Sequence, residues 1–145
     1  MNLAAPAPPS VALRASLHGA LIDSSRAGLP NEACGLIAGD AHAHEGGRPT
    51  RFLPLPNAAG SPYRYLIDPR AQLAAMLDVD DRGEVVWGIF HSHVASPAAP
   101  SATDIGLAFY PDSLYVICSL ASDPPGIRAW SIREGDVAEV LLQVD

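Results

Sequence analysis

The sequence predicts an α/β fold, a single domain built on a mixed β-sheet flanked by helices. Three observations predict it. Short apolar runs bounded by turn residues, such as Val85-Val86-Trp87-Gly88-Ile89-Phe90 and Leu114 to Leu120, read as buried strands. Stretches with helical spacing of apolar residues alternate with them, over 11–26 and after Asp68-Pro69. Hairpin-like turns separate several strand pairs, so the sheet is not purely parallel. At 145 residues, with 48% hydrophobic and 17% charged side chains, the chain suits one domain with a sizeable core. No internal repeat or linker divides it.

Taken in order, residues 1–9 are rich in Ala and Pro and read as a flexible N-terminus ahead of a domain over 10–145. Ser10 is an N-cap candidate. Leu13, Leu17, Ala20, Leu21 and Ser24 then place an amphipathic helix over 11–26, closed by Gly28 and Pro30. Glu32 to Gly39 reads as a strand and 40–49 as a polar, hairpin-like loop. Thr50 to Leu55 is a second strand, which Pro54 assigns to a sheet edge. Asn57 to Pro62 is a turn and Tyr63 to Ile67 a short strand. Asp68 caps a helix with Pro69 at its first position, and Leu73, Ala74 and Leu77 form its predicted apolar face. An acidic stretch from Asp78 to Arg82 ends it at Gly83. A strand running to His93, a loop and a helix from Ser101 to Phe109 follow. Leu114 to Leu120, Ile127 to Ile132 and Val137 to Val144 complete the sheet, the last two closing around Glu134-Gly135-Asp136.

Composition removes several function classes. The net charge is −7 and the nine basic residues, all Arg, form no cluster, which argues against nucleic acid as a partner. With no Lys, the chain cannot carry a modifier on a lysine side chain. No run of about 18 apolar residues is present, so no membrane span is expected. The first ten residues lack the charged and apolar regions of a signal peptide. Two distant cysteines make no disulfide framework, and a cytoplasmic location is the default expectation.

The chemistry concentrates between Gly88 and Phe109. His91 and His93 close the apolar strand on either side of Ser92. Residues i and i+2 of a strand share a face, roughly 6.5–7 Å apart, so both imidazoles can reach one metal ion. Ser101-Ala102-Thr103-Asp104 opens the following helix and returns a carboxylate toward them. Two imidazoles and one carboxylate are the ligand set of a catalytic zinc with an open fourth position. Each part also has a plainer reading: a polar strand end for His91 and His93, a capping box for Ser101 and Asp104, a solvated strand end for Glu32. His42 and His44 form a second H-x-H pair, in a Gly-containing loop, and read as surface residues. His18 has no obvious partner in its helix.

The joint pattern is far more specific than its parts. From His91 it runs H-S-H-x7-S-x2-D, with Glu32 upstream in Pro30-Asn31-Glu32-Ala33-Cys34-Gly35-Leu36, and with Asn57 beyond. This resembles the JAMM (MPN-plus) zinc isopeptidase family, in its compact prokaryotic form, over nearly the whole chain. Val94 departs from the Pro that many relatives carry after the second histidine. The resemblance implies an MPN/JAB sheet, similar to that of cytidine deaminases, and one zinc per chain on His91, His93 and Asp104. It implies Glu32 as the general base that later protonates the leaving amine, and Ser101 as the donor that supports the carbonyl oxygen. It implies a ubiquitin-like or sulfur-carrier protein with a Gly-Gly tail as substrate. Homodimer formation stays open. Two other classes fit the sequence less well. A catalytically silent scaffold usually lacks parts of the motif, and all are present. A zinc deaminase needs H-x-E with P-C-x-x-C, and neither occurs. Cys34, two residues after Glu32, is expected on the same face, either as a reserve zinc ligand or as packing, the latter favoured.

Overall fold

A computed structural model describes residues 5–145; residues 1–4 of the expected flexible N-terminus lie outside the described residues. The strands are β1 (Ser10–Leu13), β2 (Cys34–Gly39), β3 (Pro49–Leu55), β4 (Val85–His93), β5 (Leu114–Ser119), β6 (Gly126–Arg133) and β7 (Asp136–Val144). The helices are α1 (Ala15–Gly28), α2 (Pro69–Asp81) and α3 (Ala102–Gly106). The strands form one sheet in the order β1-β7-β6-β5-β4-β2-β3. The pairs β1–β7 and β4–β5 are parallel and the others antiparallel, so the sheet is mixed. β3, with Pro49 and Pro54, lies at an edge, where a missing N–H costs no ladder bond.

Each face of the sheet buries its own apolar layer. On one, Leu17 and Leu21 of α1 pack on Ile37, Phe90, Val116, Cys118 and Val140. On the other, Ala75 of α2 packs with Cys34, Leu36, Ile89, Tyr115 and Ile132, and Ile105 of α3 borders the same layer. Alternation along β5 makes the division plain: Leu114, Val116 and Cys118 belong to the first layer and Tyr115 to the second. The chain reverses between β6 and β7 through Glu134 (φ 50°) and Gly135 (φ 84°), a left-handed turn that glycine tolerates without steric cost.

Four expectations are corrected. Ser10 is not a helix cap: residues 10–13 form β1, paired with β7 from Ser10–Leu141 to Leu13–Val144. That long-range pairing, with Leu13 buried in the core, overrides the local helical period. Helix α1 starts after Arg14, whose side chain makes no capping bond. Tyr63 to Ile67 is not a strand; one bridge, Asn57–Ile67, is all that forms. The Asn57 side chain supplies the bonds a ladder would have made: it donates to the carbonyls of Glu32 and Arg64 and accepts from the N–H groups of Ala59 and Leu66. On α2 the buried residues are Ala75 and Val79, while Leu73 is 61% and Leu77 56% exposed. The smaller side chains let the helix approach the sheet. Helix α3 ends at Gly106, short of the predicted Phe109.

Candidate active site

β4 is central, antiparallel to β2 and parallel to β5, and its end delivers His91 and His93. Both are buried, and pleating turns them to one face. Ser92 takes the other. Its Oγ accepts from the Ala33 N–H at 2.7 Å, and its own N–H donates to the Ala33 carbonyl at 2.9 Å. The residue between the histidines thus ties down the segment that carries Glu32. Glu32 itself precedes β2, and its N–H donates to the Ser61 carbonyl at 2.9 Å.

The loop 94–100 leads to Ser101, the N-cap of α3. Ser101 Oγ accepts from the Asp104 N–H at 3.0 Å, and Asp104 Oδ2 accepts from the Ser101 N–H at 2.9 Å. The same Oδ2 lies 3.1 Å from His91 Nε2 and 3.1 Å from His93 Nε2, which are themselves 3.1 Å apart. One carboxylate oxygen therefore both takes part in the capping box and faces the two imidazoles.

These three side chains are the group among the described residues able to hold one metal ion. Ligands about 2.0–2.2 Å from a tetrahedral ion stand roughly 3.3–3.6 Å apart, slightly wider than the 3.1 Å between these atoms. Hydrogen bonding supports the fit. His93 Nδ1 lies 2.7 Å from the Pro97 carbonyl, which can only accept, so Nδ1 carries the proton. In the neutral ring, Nε2 then turns a bare lone pair toward Asp104 and His91. Facing lone pairs need a proton or a cation among them. Burial would lower the His93 pKa, but bonds to Asp104 and Pro97 and the charges of Asp104 and Glu32 raise it. Burial lowers that of His91. Burial would raise Asp104, yet the two histidines hold it well below the usual carboxylate range.

Glu32 and Ser101 line a cleft of about 360 Å³ together with His93. Glu32 is 5% exposed, and its Oε1 is buried without a hydrogen-bond partner. Burial, offset by His93 and reinforced by Asp104, pushes its pKa up from 4.5 to about 7. A larger groove of about 700 Å³ between α1 and β3 contains none of these side chains.

Cys34 pairs in register with His91 but is not among the metal-capable group. Its Sγ lies 3.5 Å from the Leu55 carbonyl, in the layer with Ile89 and Tyr115. Burial, then the charge of Glu32, pushes its thiol up to about 12, so it is neutral and packs. Cys118 lies in the opposite layer, so the two thiols do not face each other. One contributor had no sequence signal. Tyr65 stacks on His91 with centroids 4.3 Å apart and planes 18° from parallel, orienting an imidazole whose Nδ1 has no partner. Asn57, bracketed by Pro56 and Gly60, did carry a turn signal, and its amide joins the Glu32 and Tyr65 segments.

A buried His-His-Asp cluster able to hold a metal ion stands at the end of a sheet strand, with a buried carboxyl in the adjoining cleft. The chain belongs to the JAB family: the family described as prokaryotic homologs of the JAB domain matches residues 14–133. It is 40% identical over 134 residues to the CysO-cysteine peptidase of Mycobacterium tuberculosis, covering 91% of this chain and 89% of that one. A probable TtuB-protein conjugate cleaving protease of Thermus thermophilus is 38% identical, covering 84% of this chain and 79% of the relative. A desampylase of Haloferax volcanii is 32% identical, covering 75% and 80%. Among solved structures, a Desulfitobacterium hafniense protein superposes with a TM-score of 0.82 at 37% identity, covering 93% of this chain and 92% of that one. A JAB1/MPN domain protein of Archaeoglobus fulgidus shares the fold at a TM-score of 0.59 and 18% identity, covering 93% and 99%. No helix among the described residues is long and apolar enough to cross a membrane.

Proposed function

We propose that this chain is a zinc-dependent peptidase that hydrolyses the peptide or isopeptide bond after the Gly-Gly tail of a ubiquitin-like or sulfur-carrier protein. The observation that carries the reading is the partnerless, buried Oε1 of Glu32 in the cleft it shares with His93 and Ser101. A buried acceptor left without a donor is costly, and such groups mark function. His91 and His93 would hold the metal through Nε2 and Asp104 through Oδ2, with one site per chain. When bound, zinc supplies Lewis acidity and brings the pKa of water down to about 7.

The remaining work falls to the chain's own groups. Glu32, poised near neutrality, takes the proton of the attacking water at its carboxylate and passes it to the leaving nitrogen. Ser101 Oγ accepts from the Asp104 N–H, and its O–H stays free to donate to the scissile carbonyl oxygen as charge develops there. The Pro97 carbonyl keeps the His93 proton on Nδ1. The named substrates of the relatives, a cysteine adduct of CysO and protein conjugates of TtuB, support a carrier-protein tail as the acyl side. The two free, buried thiols suit a reducing cytoplasm.

The test is to incubate the zinc-loaded chain with ubiquitin-like carriers whose Gly-Gly end is fused to a peptide amine or a lysine side chain. Release of the carrier ending in Gly-Gly is expected, with loss of cleavage when the tail becomes Ala-Ala. Full zinc occupancy with no cleavage of any Gly-Gly carrier sinks the proposal.

A further inference from the structure

The loop from Val94 to Pro100 joins the second histidine to the helix that bears Asp104. It is made of small residues and prolines, VASPAAP, with no long side chain to anchor it. Its carbonyls are nevertheless held one after another. Ser119 Oγ donates to the Ser96 carbonyl at 2.6 Å. Trp130 Nε1 donates to the Ala98 carbonyl at 2.9 Å. Between those two anchored carbonyls lies that of Pro97, 2.7 Å from His93 Nδ1. Ser119 is the last residue of β5 and pairs in register with His93; Trp130 stands on β6, the next strand over. Donors on two successive strands therefore bracket the one carbonyl that settles the His93 proton.

We propose that Ser119 and Trp130 are positioning residues for His93. By holding the carbonyls on either side of Pro97, they aim the Pro97 oxygen at Nδ1 and so present the Nε2 lone pair to the metal. This rests on the reading of His93 as a zinc ligand. An acceptor of this kind behind a ligating histidine orients the ring and raises its basicity, and its loss typically costs about 10–100-fold in metal affinity. The structure contains a matched comparison. Ser113 Oγ donates to the Val86 carbonyl at 2.6 Å, the same kind of bond, at the start of β4 and β5 and away from the histidines. Ser113 and Ser119 are each 4% exposed.

The experiment measures zinc affinity by competition with a chromophoric chelator, and the metal-free melting temperature, on the full chain. The variants are Ser119→Ala, Trp130→Phe, Ser113→Ala and His93→Ala. Phe keeps an aromatic ring under Arg128, whose guanidinium lies 5.0 Å from the indole, and removes the N–H donor together with part of the ring volume. Ser119→Ala and Trp130→Phe should each weaken zinc binding by about 5–10-fold, less than the about 10–100-fold expected for losing the acceptor itself. Ser113→Ala should lower the melting temperature by a similar amount to Ser119→Ala while leaving zinc affinity within about 2-fold, because its bond does not reach a ligand. Long-range proton–nitrogen correlations on the metal-free protein should show His93 protonated at Nδ1, and a mixture of tautomers in Ser119→Ala and Trp130→Phe. Equal affinity changes in Ser113→Ala and Ser119→Ala overturn the proposal, and so does weaker binding with an unmoved His93 tautomer. If Ser119→Ala does not fold, Trp130→Phe decides alone, and unchanged affinity there is fatal. Zinc binding that survives His93→Ala points instead to failure of the ligand assignment itself.

Discussion

The chain contains two H-x-H pairs, and they end in different states. His91 and His93 stand at the end of β4, which is buried from Trp87 onward, with their Nε2 atoms 3.1 Å apart and Asp104 Oδ2 equidistant from both. His42 and His44 flank Ala43 in a 3-10 turn over Ala43–Glu45, with rings stacked at 5.6 Å and 8° from parallel. Among the described residues no third ligand atom joins them. The i, i+2 spacing is common to both; what separates them is the return of the chain. After His93 a loop leads straight into an N-cap that lays a carboxylate across the two imidazoles. After His44 the chain turns through Gly46 into the edge strand β3, with no such cap. An H-x-H pair is thus half a site, and the helix that follows decides whether the other half arrives.

The sharpest way to break this comparison is to remove each pair in turn. His91→Ala with His93→Ala should abolish zinc binding and hydrolysis, while His42→Ala with His44→Ala should keep about one zinc per chain, read by metal analysis of the purified proteins. Zinc that follows the second pair would reverse the assignment. A smaller effect comes from the base. Glu32→Gln should retain zinc and lose roughly 10²–10⁴-fold in kcat, since Gln keeps the size but takes no proton. Zinc loss in that variant makes Glu32 a ligand. Ser101→Ala follows, with a fall in kcat of about 10²–10³-fold and little change in KM if the hydroxyl supports the transition state. Were Ser101 only a cap, stability would drop by about 1 kcal/mol with turnover intact, so thermal melts and kinetics on one sample separate the two roles.

Much of this contrast was legible beforehand, for physical reasons. The strand ending at His93 announced itself as an uninterrupted apolar run, because a central strand covered on both faces has no polar side to show. Asp68-Pro69 marked the start of α2 because a side-chain cap and a fixed φ act locally. β1 was illegible: its partner β7 lies at the far end of the sequence, and Leu13 and Leu17 fit a helical period as well as they fit a strand followed by a helix. On α2, Leu73 and Leu77 looked like the core face, but hydropathy does not record how close the helix must come to the sheet, and Ala75 and Val79 took that place. At the site, spacing named the ligand candidates, whereas Tyr65 against His91 and the double use of Asp104 Oδ2 depend on three-dimensional approach that no spacing encodes.

The finest distinction between the two regions is electrostatic and can be read without turnover. Beside the first pair, Glu32 is a buried carboxyl with a pKa near 7 in place of 4.5. In the metal-free protein the consequence for stability has a definite sign. Below pH 4.5 Glu32 is protonated whether the chain is folded or not, and burial costs nothing extra. Between 4.5 and about 7 the unfolded chain releases the proton and the folded chain keeps it, so the folded state binds more protons and stability falls as pH rises. Above about 7 the loss is complete, and its size is of order 3 kcal/mol. Glu32→Gln has no proton to release. The stability of the metal-free variant relative to the metal-free parent should therefore climb across that window and level off above it, in urea titrations at a series of pH values. The Glu32 carboxylate also raises the His93 pKa, so the difference reports the Glu32–His93 pair together. A difference that stays flat from pH 4 to 8 would mean that Glu32 ionises as readily folded as unfolded, and the buried, partnerless Oε1 would lose its claim to be the base.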